Sequence, residues 1–422
     1  MEKLLFIGSD SCTRYAVEYA RRIKVFTIAT DYIPYESSAF KHMTDAYWDI
    51  DIKDLDKLEP RCRKEGITAV FAGNNELCLD SARELCRRLG LPFYASDKGW
   101  ETARDKKAYK EACRRAGLSV PAEYRVRESV SELKGADIHF PVIVKPVDCC
   151  GQAGLSKCDD MEMLRAGYEK AMACSPGKNI VIEDYIYGIE TDAFIYICEN
   201  EARLVYLSDK CNMFVNGEWK CSLQPCRSRF HDEYVSNEMP KLRLLFRDLG
   251  ITDGAVCVQS IIKDGVFYHL EICYRIDGIG SWSNAKRMFG FSNVEWMVDY
   301  ARGVRHTAEE LKSFDFENKD KYAASYLFWS AGGEIAEIKG LDRVMDMPDV
   351  DVVYRRFRVG DTVPANGTMR QMAYYISIVA DSLSGLKRDV AEINRTLQHF
   401  NKKGEAMLLP FEDLDAVDVS FG

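Results

Sequence analysis

The sequence contains no apolar stretch long enough to cross a bilayer, which takes about 20 consecutive apolar residues, so no membrane partner is expected. Its start, MEKLLFIGSD, has no basic leader region and turns at once into a strand-like run; the expected location is cytoplasmic. No pair of C-x-x-C elements is present to make a zinc site. G-x-G-x-x-G and G-x-x-x-x-G-K-[ST] are both missing, which removes the dinucleotide fingerprint and the Walker loop. Basic charge is short as well: 57 Lys and Arg stand against 66 Asp and Glu, a formal net charge of -9. Nucleic-acid binding needs a dense basic surface, so no nucleic acid is expected as partner. There is no repeat and no low-complexity segment, and the expected partners are small molecules.

What is present reads as a soluble enzyme of several domains. The 422 residues exceed one compact core and imply about two to four domains. Fifteen cysteines are scattered through helix-like and strand-like positions, Cys62, Cys78, Cys86 and Cys113 among Leu and Ala, which fits buried, reduced thiols. Residues 1 to about 95 alternate strand and helix: strands at Lys3–Gly8, Lys24–Ala29 and Ala69–Ala72, helices near 55–65 and 76–89, and Ser11 as a cap for the first helix. That alternation predicts a parallel sheet with crossover helices. A helix carrying Tyr109, Ala112 and Cys113 closes at Gly117. Strands follow at 140–145 and 180–184 around a helix at 160–173, and strands dominate 192–275. The last region predicts strands near 334–340 and 351–358 and a long amphipathic helix near 372–400.

Four segments carry chemistry. Asp105-Lys106 precedes Ala116-Gly117. Phe140 to Lys145 is an apolar strand ending in a lysine, and Pro146 holds that lysine extended. The glycines that follow in 148–154 let backbone N–H groups approach an anion, so the segment describes a polyphosphate clamp. Ile180–Ile186 is an apolar strand ending in Glu183 and Asp184, with Glu190 beyond; its backbone can read a base edge and a carboxylate can hold a ribose diol. In the fourth segment, strand alternation puts Glu271, Cys273 and Arg275 on one face, a carboxylate for a metal and a guanidinium for a phosphoryl group. Gln259 joins that face only if the turn Lys263-Asp264-Gly265 is a three-residue loop pairing Gln259 with His269; that loop is expected. Asn74-Asn75-Glu76 lies on the usual ligand side of a parallel sheet, where Glu76 could hold an ammonium group and Asn75 could equally cap a helix. Arg227, Arg229 and Lys210 could hold a carboxylate.

In order and spacing these segments resemble the ATP-grasp superfamily over roughly residues 1–305, with features similar to the carbamoyl-phosphate-synthase branch. The last region, with Gly340-Leu341 and Phe357 to Asp361, is similar to that of L-amino-acid ligases. The resemblance implies an α/β chain with a Rossmann-like pre-ATP-grasp domain at 1–100 and an ATP-grasp domain at 101–305. Its ATP-binding subdomain would lie at about 120–188, and a C-terminal α+β domain at 306–422. It implies ATP and one or two Mg2+ ions. Lys106, Lys145, Gly151, Gly154, Glu183, Asp184, Ile186 and Glu190 would hold the nucleotide, Gln259 and Glu271 the metal, and Arg275 and Lys220 would act on the phosphates. For that last basic position Lys210 and Lys220 both qualify, and spacing slightly favours Lys220. His269 and His306 are expected to be structural. Two departures stand out. Cys273 occupies the Asn position of E-x-N-x-R, and a thiol is a poor magnesium ligand. Cys149-Cys150 stand where small hydroxyl residues are usual. The implied activity is a carboxylate–amine ligase working through an acyl phosphate, releasing ADP and phosphate, on an amino acid or related small acid. The alternatives are a phosphotransferase of the same fold and a non-catalytic nucleotide-binding protein. A homodimer is the default expectation at this size.

Overall fold

The computed structural model describes residues 2–124, 138–147, 154–215 and 218–421. Its first layer is a parallel sheet of β1 (Lys3–Ile7), β2 (Phe26–Thr30), β3 (Ala46–Trp48) and β4 (Ala69–Phe71), in the order β3-β2-β1-β4. Helices α1 (Thr13–Arg22), α2 (Leu55–Glu65) and α3 (Glu76–Leu89) make its crossovers. The Asn75 side chain accepts from Leu77 N and Cys78 N at the start of α3, and Gly90 in the left-handed region (φ 68°) ends it. Ser11 is not the cap of α1. Cys12 takes that position without a side-chain cap, because the Asp10 carboxylate already accepts from Cys12 N (3.2 Å) and Thr13 Oγ1 (3.0 Å).

Helices α4 (Asp97–Arg104) and α5 (Lys106–Arg115) lead out of this layer, and Asp105 caps α5 through Lys107 N and Ala108 N. A small antiparallel sheet follows, built from β5 (Glu123–Tyr124), β6 (Val142–Pro146), β7 (Ser156–Cys158) and β8 (Ile180–Asp184) in the order β5-β8-β6-β7. Helix α6 (Met161–Cys174) packs on it. The chain continues through β9 (Ile189–Cys198), β10 (Glu201–Asp209), β11 (Cys211–Val215), β12 (Glu218–Pro225), β13 (Gly254–Lys263) and β14 (Val266–Cys273). Of these, β10-β9-β13-β14 form the central antiparallel sheet, whose strands pack into the same core as the first layer.

The last sheet holds β15 (Tyr322–Ser330), β18 (Val350–Arg355), β20 (Met372–Ala380) and β22 (Leu408–Leu409). Short ribbons join β16 (Gly333–Glu334) to β19 (Thr362–Val363) and β17 (Glu337–Lys339) to β21 (Gln398–Phe400). This sheet crosses the division expected at 305, because β11 and β12 leave the middle of the chain and pair into it through β15. The long helix expected over 372–400 is half strand. Met372–Ala380 is buried along its whole length as β20, and the helix begins at Leu383 behind a Ser382 cap. The run MAYYISIVA has no polar face for a surface helix and is rich in β-formers, so burial between two strands wins. Among the described residues no helix is long and apolar enough to cross a membrane.

Candidate nucleotide and metal site

The β13–β14 hairpin sets the site, by a route the sequence reading did not expect. Lys263 pairs with Val266, so the loop is the two residues Asp264 and Gly265, both at positive φ (52° and 76°), as a tight hairpin turn requires. The three-residue loop is therefore wrong. Its consequence survives, because a bulge corrects the parity further along. Ser260 pairs with His269 but Gln259 pairs with Glu271, leaving Leu270 as the extra residue. Gln259 thus shares a face with Glu271. On its other side Gln259 pairs with Asp192 of β9, so Asp192, Gln259 and Glu271 form one row across three strands. Cys257 and Cys273 pair in the same ladder. Burial pushes the Cys273 thiol up to about 12, so it stays protonated and is no hard-oxygen substitute.

The lysines converge from two other elements. Lys106 opens α5 and its Nζ lies 3.8 Å from Glu271 Oε2. Lys145 on β6 reaches across the sheet to Glu183 Oε1 on β8. Glu183 is buried, and its second oxygen is taken by Lys110, which also lies 3.0 Å from Glu123 Oε1. Burial holds the Lys145 ammonium below its ordinary value; Glu183 offsets this in part and Lys110 adds to it. Burial alone would raise the Glu183 carboxyl, but Lys145 and Lys110 outweigh it and keep the group below the usual range. The Glu183 side chain therefore holds the lysines. Next to it Asp184 accepts from Tyr124 OH (2.6 Å), and Ile186 is half-buried just after the strand.

Glu190 is half-exposed at the start of β9, 3.7 Å from Lys210 Nζ. Lys210 lies closer to Asp192 Oδ1 (3.0 Å), and Gln224 donates to Asp192 Oδ2 (2.7 Å). Lys210 thus stands beside the Asp192–Gln259–Glu271 row. Lys220 is buried on β12, paired across to Met213 of β11. Gly154 has φ +75°, and a Cβ there would meet Pro146 Cγ at 2.8 Å, so Gly154 packs tightly on the strand that carries Lys145. Gly151, Cys149 and Cys150 lie outside the described residues.

Arg275 follows β14 and points to the first layer. Its Nε is 3.5 Å from Glu76 Oε1, while Glu76 Oε2 lies 3.5 Å from Arg104 Nη1. Asn74 Nδ2 donates to Ser11 Oγ (2.7 Å) and Asp277 O (3.0 Å), so the loops after β1, β4 and β14 meet at this edge. Arg227, Arg229 and Lys210 have separate surroundings. Arg227 lies over the Tyr322 and Phe421 rings, Arg229 over Phe230, and Lys210 beside its two acids. Of the two histidines singled out, His269 is buried between Ser260 Oγ (3.1 Å) and Glu238 Oε2 (2.8 Å), and His306 stacks on Trp296 and meets Asp299 (3.1 Å).

Glu271, Gln259 and Asp192 offer hard oxygens, the donor type Mg2+ prefers. Among the described residues no group of three or more His, Cys, Asp and Glu side chains is set to hold a metal ion alone. A cation on this row would share its shell with oxygens of a bound polyphosphate. Two residues here escaped the sequence reading. Lys110 carried the signal of sitting one helical turn after Lys106, on its face. Asp192 carried none until the register was known.

No protein-family model matches the chain. It is 25% identical over 224 residues to the carbamoyl phosphate synthase large chain of Rubrobacter xylanophilus, covering 51% of this chain and 21% of that one. It is 21% identical over 280 residues to the formate-dependent phosphoribosylglycinamide formyltransferase of Wolinella succinogenes, covering 65% and 70%. The chain thus spans about a fifth of the length of the synthase. Among solved structures, the L-amino acid ligase of Bacillus licheniformis superposes with a TM-score of 0.78 at 17% identity, over 95% of this chain and 99% of that one. The biotin carboxylase domain of Hydrogenobacter thermophilus 2-oxoglutarate carboxylase, in complex with MgADP, does so at 0.75 and 16%, over 96% and 91%. The chain has the ATP-grasp fold.

Proposed function

We propose that the chain is an ATP-dependent carboxylate–amine ligase that activates a small acid as an acyl phosphate and passes it to an amine, releasing ADP and phosphate. The observation that carries this reading is a pair of ion pairs, Lys106 with Glu271 of the central sheet and Lys145 with Glu183 of the small sheet, linked by the charge of Glu271 acting on the Lys145 ammonium. Cations at the ends of two elements face an acid on a third, which is a site for a metal-bound polyphosphate. Magnesium, when bound, would neutralise phosphate charge, held by Glu271 and Gln259 with Asp192 at the end of their row. The neighbour crystallised with MgADP supports the same nucleotide here.

The chain's own residues then position and shield. Lys145 and Lys106 hold phosphate oxygens, and the backbone around Asp184 to Ile186 with the Glu190 carboxylate takes the base and ribose. Lys210 or Lys220 supplies the further cation. Arg275 faces the transferring group, and phosphoryl transfer asks mainly for such placement and charge neutralisation. A substrate carboxylate attacks the γ-phosphoryl group, and the amine then displaces phosphate from the acyl phosphate. The finer proposal is an amino acid as the acid substrate. Glu76 stands beside Arg275, so an acid and a guanidinium are presented together, the complement of a zwitterion. The similar ligase from B. licheniformis acts on L-amino acids.

The test is ADP and phosphate release from purified protein with Mg-ATP and pooled amino acids, beside a Lys145→Ala control. Release that needs a pool and vanishes in the control is expected. ADP without free phosphate would replace the ligase with a phosphotransferase. ATP binding without turnover in any pool of acids and amines would leave a nucleotide-binding protein.

A further inference from the structure

The ladder between β5 and β8 sets Glu123 directly opposite Glu183. Two acids in that position repel each other. What relieves them is Lys110, whose side chain is 1% exposed and whose ammonium contacts both, Glu183 Oε2 and Glu123 Oε1. Arg114, one turn further along α5, meets the other Glu123 oxygen at 3.4 Å. The local charges are four cations, Lys106, Lys110, Arg114 and Lys145, against three acids, Glu123, Glu183 and Glu271; Glu271 also acts on the Lys145 ammonium, but Lys106 stands against it at 3.8 Å. The surplus positive charge falls on Lys145, because Lys110 and Arg114 are spent on Glu123 and on half of Glu183. Lys145 is also less enclosed than Lys110, at 12% exposed.

A lysine fully paired with a buried carboxylate has little attraction left for a phosphate, and an unpaired one would be expensive to bury. Sharing Glu183 gives an intermediate state. Lys145 keeps a carboxylate partner and retains unspent charge for an incoming anion. The same contact ties the helix that begins with Lys106 to the strand that carries the base-reading segment.

We propose that Lys110 is a positioning residue for the nucleotide: by holding one oxygen of Glu183 it leaves Lys145 under-compensated and available to phosphate. This rests on the nucleotide reading above.

The experiment is isothermal titration of Mg-ATP into the full chain. Lys110→Met is expected to weaken binding roughly tenfold, since Glu183 would then belong to Lys145 alone. In the Glu183→Gln background no competing carboxylate remains, so adding Lys110→Met to Glu183→Gln is expected to change binding little. The alkaline pH at which binding fades should also move upward in Lys110→Met, because the repulsion from Lys110 that helps hold the Lys145 ammonium down is gone. Should Lys110→Met prove unfolded, the comparison of Glu183→Gln with Lys110→Met/Glu183→Gln, both free of the stranded acid, decides: equal binding by the two supports the proposal. Unchanged binding in a folded Lys110→Met, or a roughly tenfold further loss when Lys110→Met is added to Glu183→Gln, overturns it. A wild-type protein that ignores ATP would instead remove the nucleotide reading, independently of any variant.

Discussion

Gly188 lies between β8 and β9, the strands that carry Glu183 and Glu190, and replacing it with alanine should disturb both. A Cβ placed there runs into the Ile262 carbonyl oxygen, comes within 2.7 Å of Ile261 Cγ2 and within 2.9 Å of Ile262 C. Carbon atoms pack at about 3.5–4.0 Å, so β13 would have to retreat by roughly 1 Å. Alanine has no rotamer to swing away and the main obstacle is backbone, so the strain falls on the pairing of Ile189 with Ile262. Overpacking of this kind costs about 1–3 kcal/mol, and a backbone obstacle puts Gly188→Ala at the upper end. For a unit of this size 1 kcal/mol is worth about 2–4 °C, so its melting transition should fall by roughly 5–10 °C in scanning calorimetry. ATP affinity should fall with it, since Gly188 separates Glu183 from Glu190. Gly66→Ala is the control. Gly66 has φ +67° and open space around it, so alanine there pays only the left-handed backbone penalty of about 1–2 kcal/mol. A Gly188→Ala protein that melts within about 2 °C of the wild type and binds ATP as well would refute the packing argument.

Two further outcomes are expected. Glu271→Gln removes the carboxylate of the Gln259–Glu271 pair and should raise the Mg2+ concentration for half-maximal ADP release by roughly tenfold or more, while titration of metal-free ATP changes little; an unchanged metal requirement would take Glu271 out of the metal site. His399 is buried with Nε2 2.6 Å from Tyr374 OH, and burial pushes its pKa down to about 4. A folded pKa below the unfolded value of about 6.5 means stability that is fully present above that value and drains away as the pH falls toward 4, by at most ~3 kcal/mol. Melting of wild type and His399→Gln at pH 7 and 4.5 should show the wild type losing more on acidification; a gap that ignores pH would contradict it.

Local signals carried much of the fold. Helix α3 could be placed because Asn75 and Gly90 bracket it, and β8 because an unbroken apolar run stops at acids. The order of the segments was enough to single out Lys106, Lys145, Glu183 and Glu271, but not to pair Lys106 with Glu271 or Lys145 with Glu183. What could not be read was set by partners distant in sequence. The side of Gln259 depends on one extra residue, Leu270, and a bulge is chosen by the whole ladder, while the turn alone pointed the other way. Asp192 looked like one acid among many until β13 was laid beside it. Lys110 looked like an ordinary helix lysine, since nothing local says that two acids wait across the interface. The stretch 372–380 reads as part of a helix in sequence because its burial between β15 and β18 hides any amphipathic cue.

The ribbon formed by β11 and β12 has a consequence for how the protein is made. Its sheet partner, β15, begins at Tyr322, about a hundred residues after the ribbon ends at Pro225. At translation speeds of about 5–20 residues per second, the ribbon waits roughly 5–20 s on the growing chain before its neighbour exists. During that interval Leu223 and Val215, both buried at the end, have no sheet to cover them. Synthesis therefore passes through a stage in which the nucleotide-side sheets can be complete while a sticky two-stranded edge hangs from them, and that stage is where a chaperone or a slower stretch of codons would matter most.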